Sequence, residues 1–196
     1  MRSRQTNKPD KYIVSECVKV LRDELPYNLH IFVNSVEFIA KVIDTLKLAP
    51  EAVKVVCSTS GESRQENQRK LGNAYPIGQP SDPAKKINFY TSTCFEGCDI
   101  FDPDGVTFIV SDGRKAHTLL DISTLFTQIC GRIRDSRYKA QIVHVYSTTK
   151  YSKAVTLDEF VAATQRTLAD AESYAAEINS LSEATRVKTL SKIPYI

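Results

Sequence analysis

Short apolar runs rich in β-branched residues, Leu29–Val33, Val53–Cys57, Ile87–Tyr90, Val106–Val110 and Ile142–Tyr146, are separated by segments of helical periodicity. Runs that are apolar throughout, rather than alternating, read as strands covered on both faces. Strands that take turns with helices build a parallel sheet with right-handed crossovers. The intervening segments agree. Ser35–Leu46 sets Val36, Phe38, Ile39, Val42, Ile43 and Leu46 at helical spacing, and Ser63–Leu71 is a polar helix ended by Gly72. Leu119–Ile133 places Ile122, Leu125, Phe126, Ile129 and Ile133 on one face of a further helix. Asn73–Lys86, broken by Pro76, Gly78, Pro80 and Pro83, reads as a loop. From Leu157 to Leu181 apolar residues recur every three or four positions, which predicts one long amphipathic helix. Its alanine-rich seam and poor flanking charge pairs favour packing on a sheet or a neighbour over a coiled coil.

A chain of 196 residues has room for one core with an appendage. The expected division is a basic N-terminal segment with a leading helix over 1–27, the sheet domain over 28–154, and a helical extension over 155–196. Apolar residues make up 42% and charged residues 25%, which argues against wholesale disorder. The net charge of +3 is too mild for a histone-like polyelectrolyte but leaves room for a local phosphate-binding patch. The five cysteines are odd in number and form no CxxC pair, so a reducing, cytoplasmic setting is expected. No apolar run approaches the roughly 18 residues of a membrane span, and the polar start MRSRQTNKPDK has no secretory core.

Ligands of a doubly wound sheet gather where the strands end. After Val33 come Asn34 and Ser35; after Cys57, Ser58-Thr59-Ser60-Gly61; after Tyr90, Thr91-Ser92-Thr93-Cys94-Phe95-Glu96-Gly97-Cys98-Asp99. Such small hydroxyl and amide residues, leading into helix starts or a glycine, offer donors to phosphate oxygens, although ordinary helix capping uses the same residues. The helix over 119–133 runs into Gly131-Arg132-Ile133-Arg134-Asp135-Ser136-Arg137-Tyr138-Lys139, with four basic residues and one acidic from Arg132 onward. Arginine, with its planar fork, suits phosphoryl charge. Tyr138, Tyr146 and Tyr151 interleave with Arg137, Lys139, Lys150 and Lys153, a pattern that fits either a stacking surface for single strands or a solvated rim.

Thr91–Ile100 (TSTCFEGCDI) followed by Gln128–Arg134 (QICGRIR) resembles motifs V and VI of the superfamily-two helicases. Leu29–Ser35 is similar to motif IV, and Ser60-Gly61 through Arg69 to the nucleic-acid-contact segment that follows it. The resemblance spans about residues 28–147 in the expected order, with G-R-x-R closest to the origin-binding, viral-type members. It implies the second RecA-like domain of such a motor: a doubly wound parallel sheet with helices on both faces. It further implies that Asn34, Ser35, Ser60, Gly61, Thr91 and Ser92 contact a nucleic-acid backbone. By the same resemblance Gly97 and Asp99 approach ATP, and Gln128 with the arginines Arg132 and Arg134 serve hydrolysis. Many members space the two arginines by three, whereas here Asp135 holds that position. On an unbroken helix a spacing of two turns a side chain by about 200°, so Arg132 alone is the favoured finger unless the helix breaks near Gly131.

None of the seven glycines is followed by lysine, so no GxxxxGK[ST] loop is present, and no DExD or DExH box occurs. ATP and Mg²⁺ would then be held mainly by an N-terminal RecA-like domain of the same protein outside this sequence. The chain alone would be catalytically silent, with single-stranded DNA or RNA as partner and the C-terminal helix open to a protein partner. The alternative is a RecA-like module that binds nucleic acid or protein without turnover. Cys94 and Cys98 lack a histidine at ligand spacing and read as small buried thiols, with no metal expected.

Overall fold

The computed structural model describes residues 1–148 and 156–190. It divides into two units, Met1–Lys150 and Tyr151–Ile196. The boundary expected between 154 and 155 lies outside the described residues, as do Lys150, Tyr151 and Lys153.

The first unit is an α/β domain with a RecA-like, doubly wound sheet. Its strands are β1 (Arg2–Gln5), β2 (Asn28–Phe32), β3 (Val53–Val56), β4 (Ile87–Tyr90), β6 (Gly105–Asp112) and β8 (Ile142–Ser147). They lie in the order β1-β8-β6-β2-β4-β3, every neighbouring pair parallel. A separate two-residue ladder joins β5 (Ile100–Phe101) to β7 (Ile133–Arg134). The helices are α1 (Pro9–Leu21), α2 (Val36–Leu46), α3 (Gly61–Leu71) and α4 (Thr127–Cys130), the last continuing a π-helical segment, Ile122–Phe126. The stretch 1–27 is built into this unit: β1 forms one edge of the sheet and α1 packs through Ile13, Cys17 and Val20.

Strand pleating sends alternate residues to two cores. Leu29 and Ile31 of β2, Val33 just beyond it and Phe89 of β4 join α1 and α2 on one face. Phe32, Tyr90 and Ile109 meet Cys94, Phe95, Ile100, Phe126 and Ile129 on the other. Helices therefore cover both faces, but the second is covered differently. The connection from β4 to β6 has no crossover helix. It leaves the carboxyl end of β4, turns once in a 3₁₀ segment (Ser92–Cys94), and runs along the sheet to Asp102 beside the amino ends of β2 and β6.

The helix expected over Leu119–Ile133 is shorter. A 3₁₀ turn (Ala116–Thr118) precedes the π segment, whose start is capped by Asp121 accepting from the Ser123 N–H, and α4 ends at Gly131. Ile133, at helical spacing in the sequence, is a strand residue in the fold. It is 5% exposed, pairs with Ile100 and lies within contact of Gly105.

The second unit contains α5 (Leu157–Ser180) and α6 (Glu183–Leu190). A capping box starts α5, in which Thr156 Oγ1 accepts from the Glu159 N–H while the Glu159 carboxylate accepts from the Thr156 N–H. Its apolar positions Leu157, Phe160, Val161, Leu168 and Tyr174 are exposed. No helix among the described residues is long and apolar enough to cross a membrane.

Candidate functional site

The sequence-predicted residues fall into two groups joined by the β4–β6 connection. The first lies at the carboxyl ends of β2, β3 and β4. Thr91 is buried, its N–H donating to the Val56 carbonyl at 3.0 Å, so it extends the ladder one residue past β4. The exposed Ser92 N–H donates to Asn34 Oδ1 at 3.4 Å, and Asn34 Nδ2 donates to the His117 carbonyl at 2.9 Å. Asn34 thereby links the ends of β2 and β4 to the turn after β6. Ser35 is buried, and its Oγ accepts from the Phe38 N–H at 3.2 Å, so the hydroxyl caps α2 and faces inward. Ser60 stands at the N-cap of α3 without capping it; its hydroxyl meets that of Ser58 at 3.0 Å, and Gly61 takes a left-handed φ of +52°.

The second group lies at the other end of the connection. The Ile100 N–H donates to the Arg132 carbonyl at 2.9 Å, and the ladder continues through Ile100↔Ile133 and Phe101↔Arg134. The arginine-rich segment thus joins the threonine-rich loop through that loop's far end, near the amino edge of the sheet. After β4 the chain first folds back on itself, Cys98 Sγ donating to the Cys94 carbonyl at 3.2 Å, and only then does Asp99–Phe101 run down to Asp102 alongside Ile133 and Arg134.

Because the helix ends at Gly131, the 200° argument against two arginines on one side no longer applies. Ile133 and Arg134 are extended and Ile133 is buried, so Arg132 and Arg134 flank an inward-facing residue on a strand start and not on a helix. Arg132 Nη1 donates to the Cys98 carbonyl at 3.0 Å and its Nε to the Gln128 carbonyl at 3.2 Å. Arg134 Nε donates to Asp99 Oδ1 at 3.0 Å in a half-exposed ion pair, worth little by itself in solvent. Gln128 Oε1 is enclosed and is the one buried side-chain acceptor without a partner among the described residues. Gly97 has a left-handed φ of +70°, and a Cβ built there would meet nothing within 4 Å, so its requirement is conformational and its surroundings are open.

Beneath Asp99–Phe101 sits a buried polar network that the sequence reading passed over. Asp102 accepts from His30 Nε2 at 2.8 Å, from Asn28 Nδ2 at 3.0 Å and from the Asp104 N–H at 2.9 Å. His30 is fully buried, and its Nδ1 meets the Tyr90 hydroxyl at 3.0 Å. Burial holds the His30 imidazole below its ordinary pKa despite the carboxylate beside it. Burial pushes the Asp102 carboxyl upward, but the donors from His30, Asn28 and Asp104 outweigh this and leave it below its usual value. The pair is therefore a neutral imidazole donating to a carboxylate, with Nε2 protonated and Nδ1 accepting from Tyr90. Two signals were available: a histidine inside an apolar strand, and Asp102-Pro103-Asp104-Gly105, which reads as a turn.

Of the interleaved aromatic and basic residues, Lys150, Tyr151 and Lys153 lie outside the described residues. Tyr138 packs edge-on to Tyr27 at 5.6 Å with the Arg137 guanidinium over its ring, while Tyr146 stacks on His144 at 5.1 Å. Cys94 is buried, and Cys98 Sγ donates to the Cys94 carbonyl at 3.2 Å. Among the described residues no group of three or more His, Cys, Asp or Glu is placed to hold a metal ion. In comparison with known proteins, no family model matches the chain and no curated protein matches it significantly.

Proposed function

We propose that this chain is the C-terminal motor half of an ATP-dependent nucleic-acid helicase or translocase of the superfamily-two type. One observation carries the reading: the segments that resemble motifs V and VI, about thirty residues apart in sequence, are hydrogen-bonded to each other through Ile100–Arg132 and Asp99–Arg134. In this reading Asn34, Ser60, Gly61, Thr91 and Ser92 grip a single-stranded DNA or RNA backbone at the carboxyl edge, with Ser35 fixing the start of α2 beside them. Gly97, Asp99, Gln128, Arg132 and Arg134 face a nucleotide held mainly by an N-terminal RecA-like domain, which also binds Mg²⁺. ATP supplies the transferable phosphoryl group, and Arg132 and Arg134 supply the positive charge that its transfer requires. The orphaned Gln128 acceptor and the open face of Gly97 fit an external polar ligand. The setting is cytoplasmic, and the exposed stripe of α5 is available to a protein partner.

A RecA-like binding module without turnover is the second reading. It is favoured by the hydrogen bonds that Arg132 and Arg134 already make inside the chain. Titration of a labelled single strand with the chain tests what both share, and the motor reading expects weak binding that falls steeply with salt. Absence of binding at low salt refutes it. In a protein that also carries the P-loop domain, Arg132→Ala or Arg134→Ala should abolish ATPase while sparing nucleotide binding; unchanged turnover in both favours the module. ATPase above background from this chain alone contradicts the division of labour.

A further inference from the structure

A cavity of about 340 Å³ opens on the α1 face of the sheet, at the β1–β8 edge, away from Arg132 and Arg134. Arg2 and Arg4 of β1, Tyr12 and Glu16 of α1, and Tyr27 line it, over an apolar floor that includes Val106 and Phe108. Arg2 and Arg4 are two apart on a strand, so both side chains leave the same side, roughly 6.6 Å apart at their Cα atoms. Neither makes an ion pair among the described residues, although Glu16 stands in the same cavity. Glu16 is already matched, its Oε1 lying 2.7 Å from Lys19 Nζ. The cavity therefore carries two uncompensated guanidinium charges, a paired carboxylate, two phenol rings and a hydrophobic base. Edge strands often display charge simply to discourage pairing. That role asks only for exposed charge, and Arg2 and Arg4 are exposed; in addition they line a concavity within the volume range of small-molecule sites, about 300–1,000 Å³.

We propose that this cavity binds a phosphate monoester joined to a planar ring, a ligand of mononucleotide size. The forked guanidiniums take the phosphate oxygens, since two adjacent arginines favour a compact dianion. The ring lies on the apolar floor between Tyr12 and Tyr27, where stacking and burial add to the charge. A free mononucleotide and the phosphorylated end of a strand share this chemistry.

Calorimetric titration of the full chain tests it, with AMP, adenosine, inorganic phosphate and a pentanucleotide with or without a 5′-phosphate. AMP should bind at about millimolar concentration or below, with adenosine and inorganic phosphate at least about tenfold weaker. The double variant Arg2→Ala/Arg4→Ala should lose at least about tenfold, while Arg22→Ala, an exposed arginine beyond α1, should not. A melt matching the parent's establishes that the double variant is folded. If only the 5′-phosphorylated pentanucleotide binds, and the double variant loses that preference, the ligand is a strand end and the site stands. AMP and the phosphorylated strand both failing to bind, equal loss in Arg22→Ala, or unchanged affinity in the double variant overturns it. Binding of the unphosphorylated strand reports the carboxyl-edge grip and should be unaffected by the double variant, so failure of one reading leaves the other testable.

Discussion

Replacing Asp102 by Ala should destabilise the sheet unit by about 3 kcal/mol, and the structure says where that comes from. The carboxylate is 4% exposed and accepts from three donors: His30 Nε2, Asn28 Nδ2 and the Asp104 N–H. His30 is wholly buried, so its orphaned N–H bears the full cost of a buried donor left unmade, about 1–3 kcal/mol. Asn28 and Asp104 are only partly buried and can turn to water, recovering much of their loss, so together they add about 1 kcal/mol. For a unit of this size each kcal/mol lowers the melting temperature by about 2–4 °C, so the expected drop is about 6–12 °C at neutral pH. Thermal unfolding followed by circular dichroism measures it. Asp102→Asn, which keeps one acceptor oxygen and the shape, should lose less. A drop below about 2 °C for the alanine variant would refute the claim that this network ties the Asp99–Phe101 segment to the sheet.

Gly105→Ala should cost about 1–3 kcal/mol in urea unfolding, because its Cβ would stand 2.9 Å from His30 Nε2 and 3.0 Å from Ile133 Cγ2; an unchanged midpoint would contradict this packing. Stability should fall as pH drops from about 7.5 to about 5.5. Burial keeps His30 and His144 neutral in the fold, so the unfolded chain takes up protons first, below the ordinary histidine value of 6.5. The loss continues down to the lower folded-state values, and urea midpoints that stay flat or rise across this window refute the assignment. Titration with a thiol reagent at about pH 8 should find half-buried Cys98 fastest, with half-buried Cys130 slower because burial raises its thiol. Burial pushes Cys17 and Cys94 up to about 12 and Cys57 up to about 11, and a third reactive thiol would show that one of these cores opens.

The central strands were legible because burial on both faces leaves an uninterrupted apolar run: Ile87–Tyr90 is the same in sequence and structure, and the others shift by one or two residues. β1 was not legible as a strand. Arg2–Gln5 is exposed at every position, and its pairing is dictated by β8 rather than by its own pattern. The helix start at Ser35 could be read from its capping side chain, whereas α3 begins at Gly61, two residues before the expected Ser63, because its N-cap makes no side-chain bond. Over Leu119–Ile133 the apolar spacing fitted a helix, yet Ile133 is claimed by the ladder to Ile100, a tertiary partner that periodicity cannot register. The residue types of the candidate site were visible, but the ladder that joins Ile100 to Ile133 was not. It follows from a crossover that dispenses with a helix, and loop composition does not reveal the path a loop takes.

That crossover is fastened at two points. Phe95 and Ile100 are both 1% exposed, while Glu96, Gly97 and Asp99 between them are exposed and Cys98 is half-buried. The aromatic and the aliphatic rivet leave a four-residue bow, Glu96–Asp99, between two seats in the core. Because Cys98 and Asp99 of that bow receive the Arg132 and Arg134 guanidiniums, a residue added or deleted there would leave both seats in the core while shifting the two arginines' acceptors out of step with them, so the spacing of the bow and the placing of the arginines are set together.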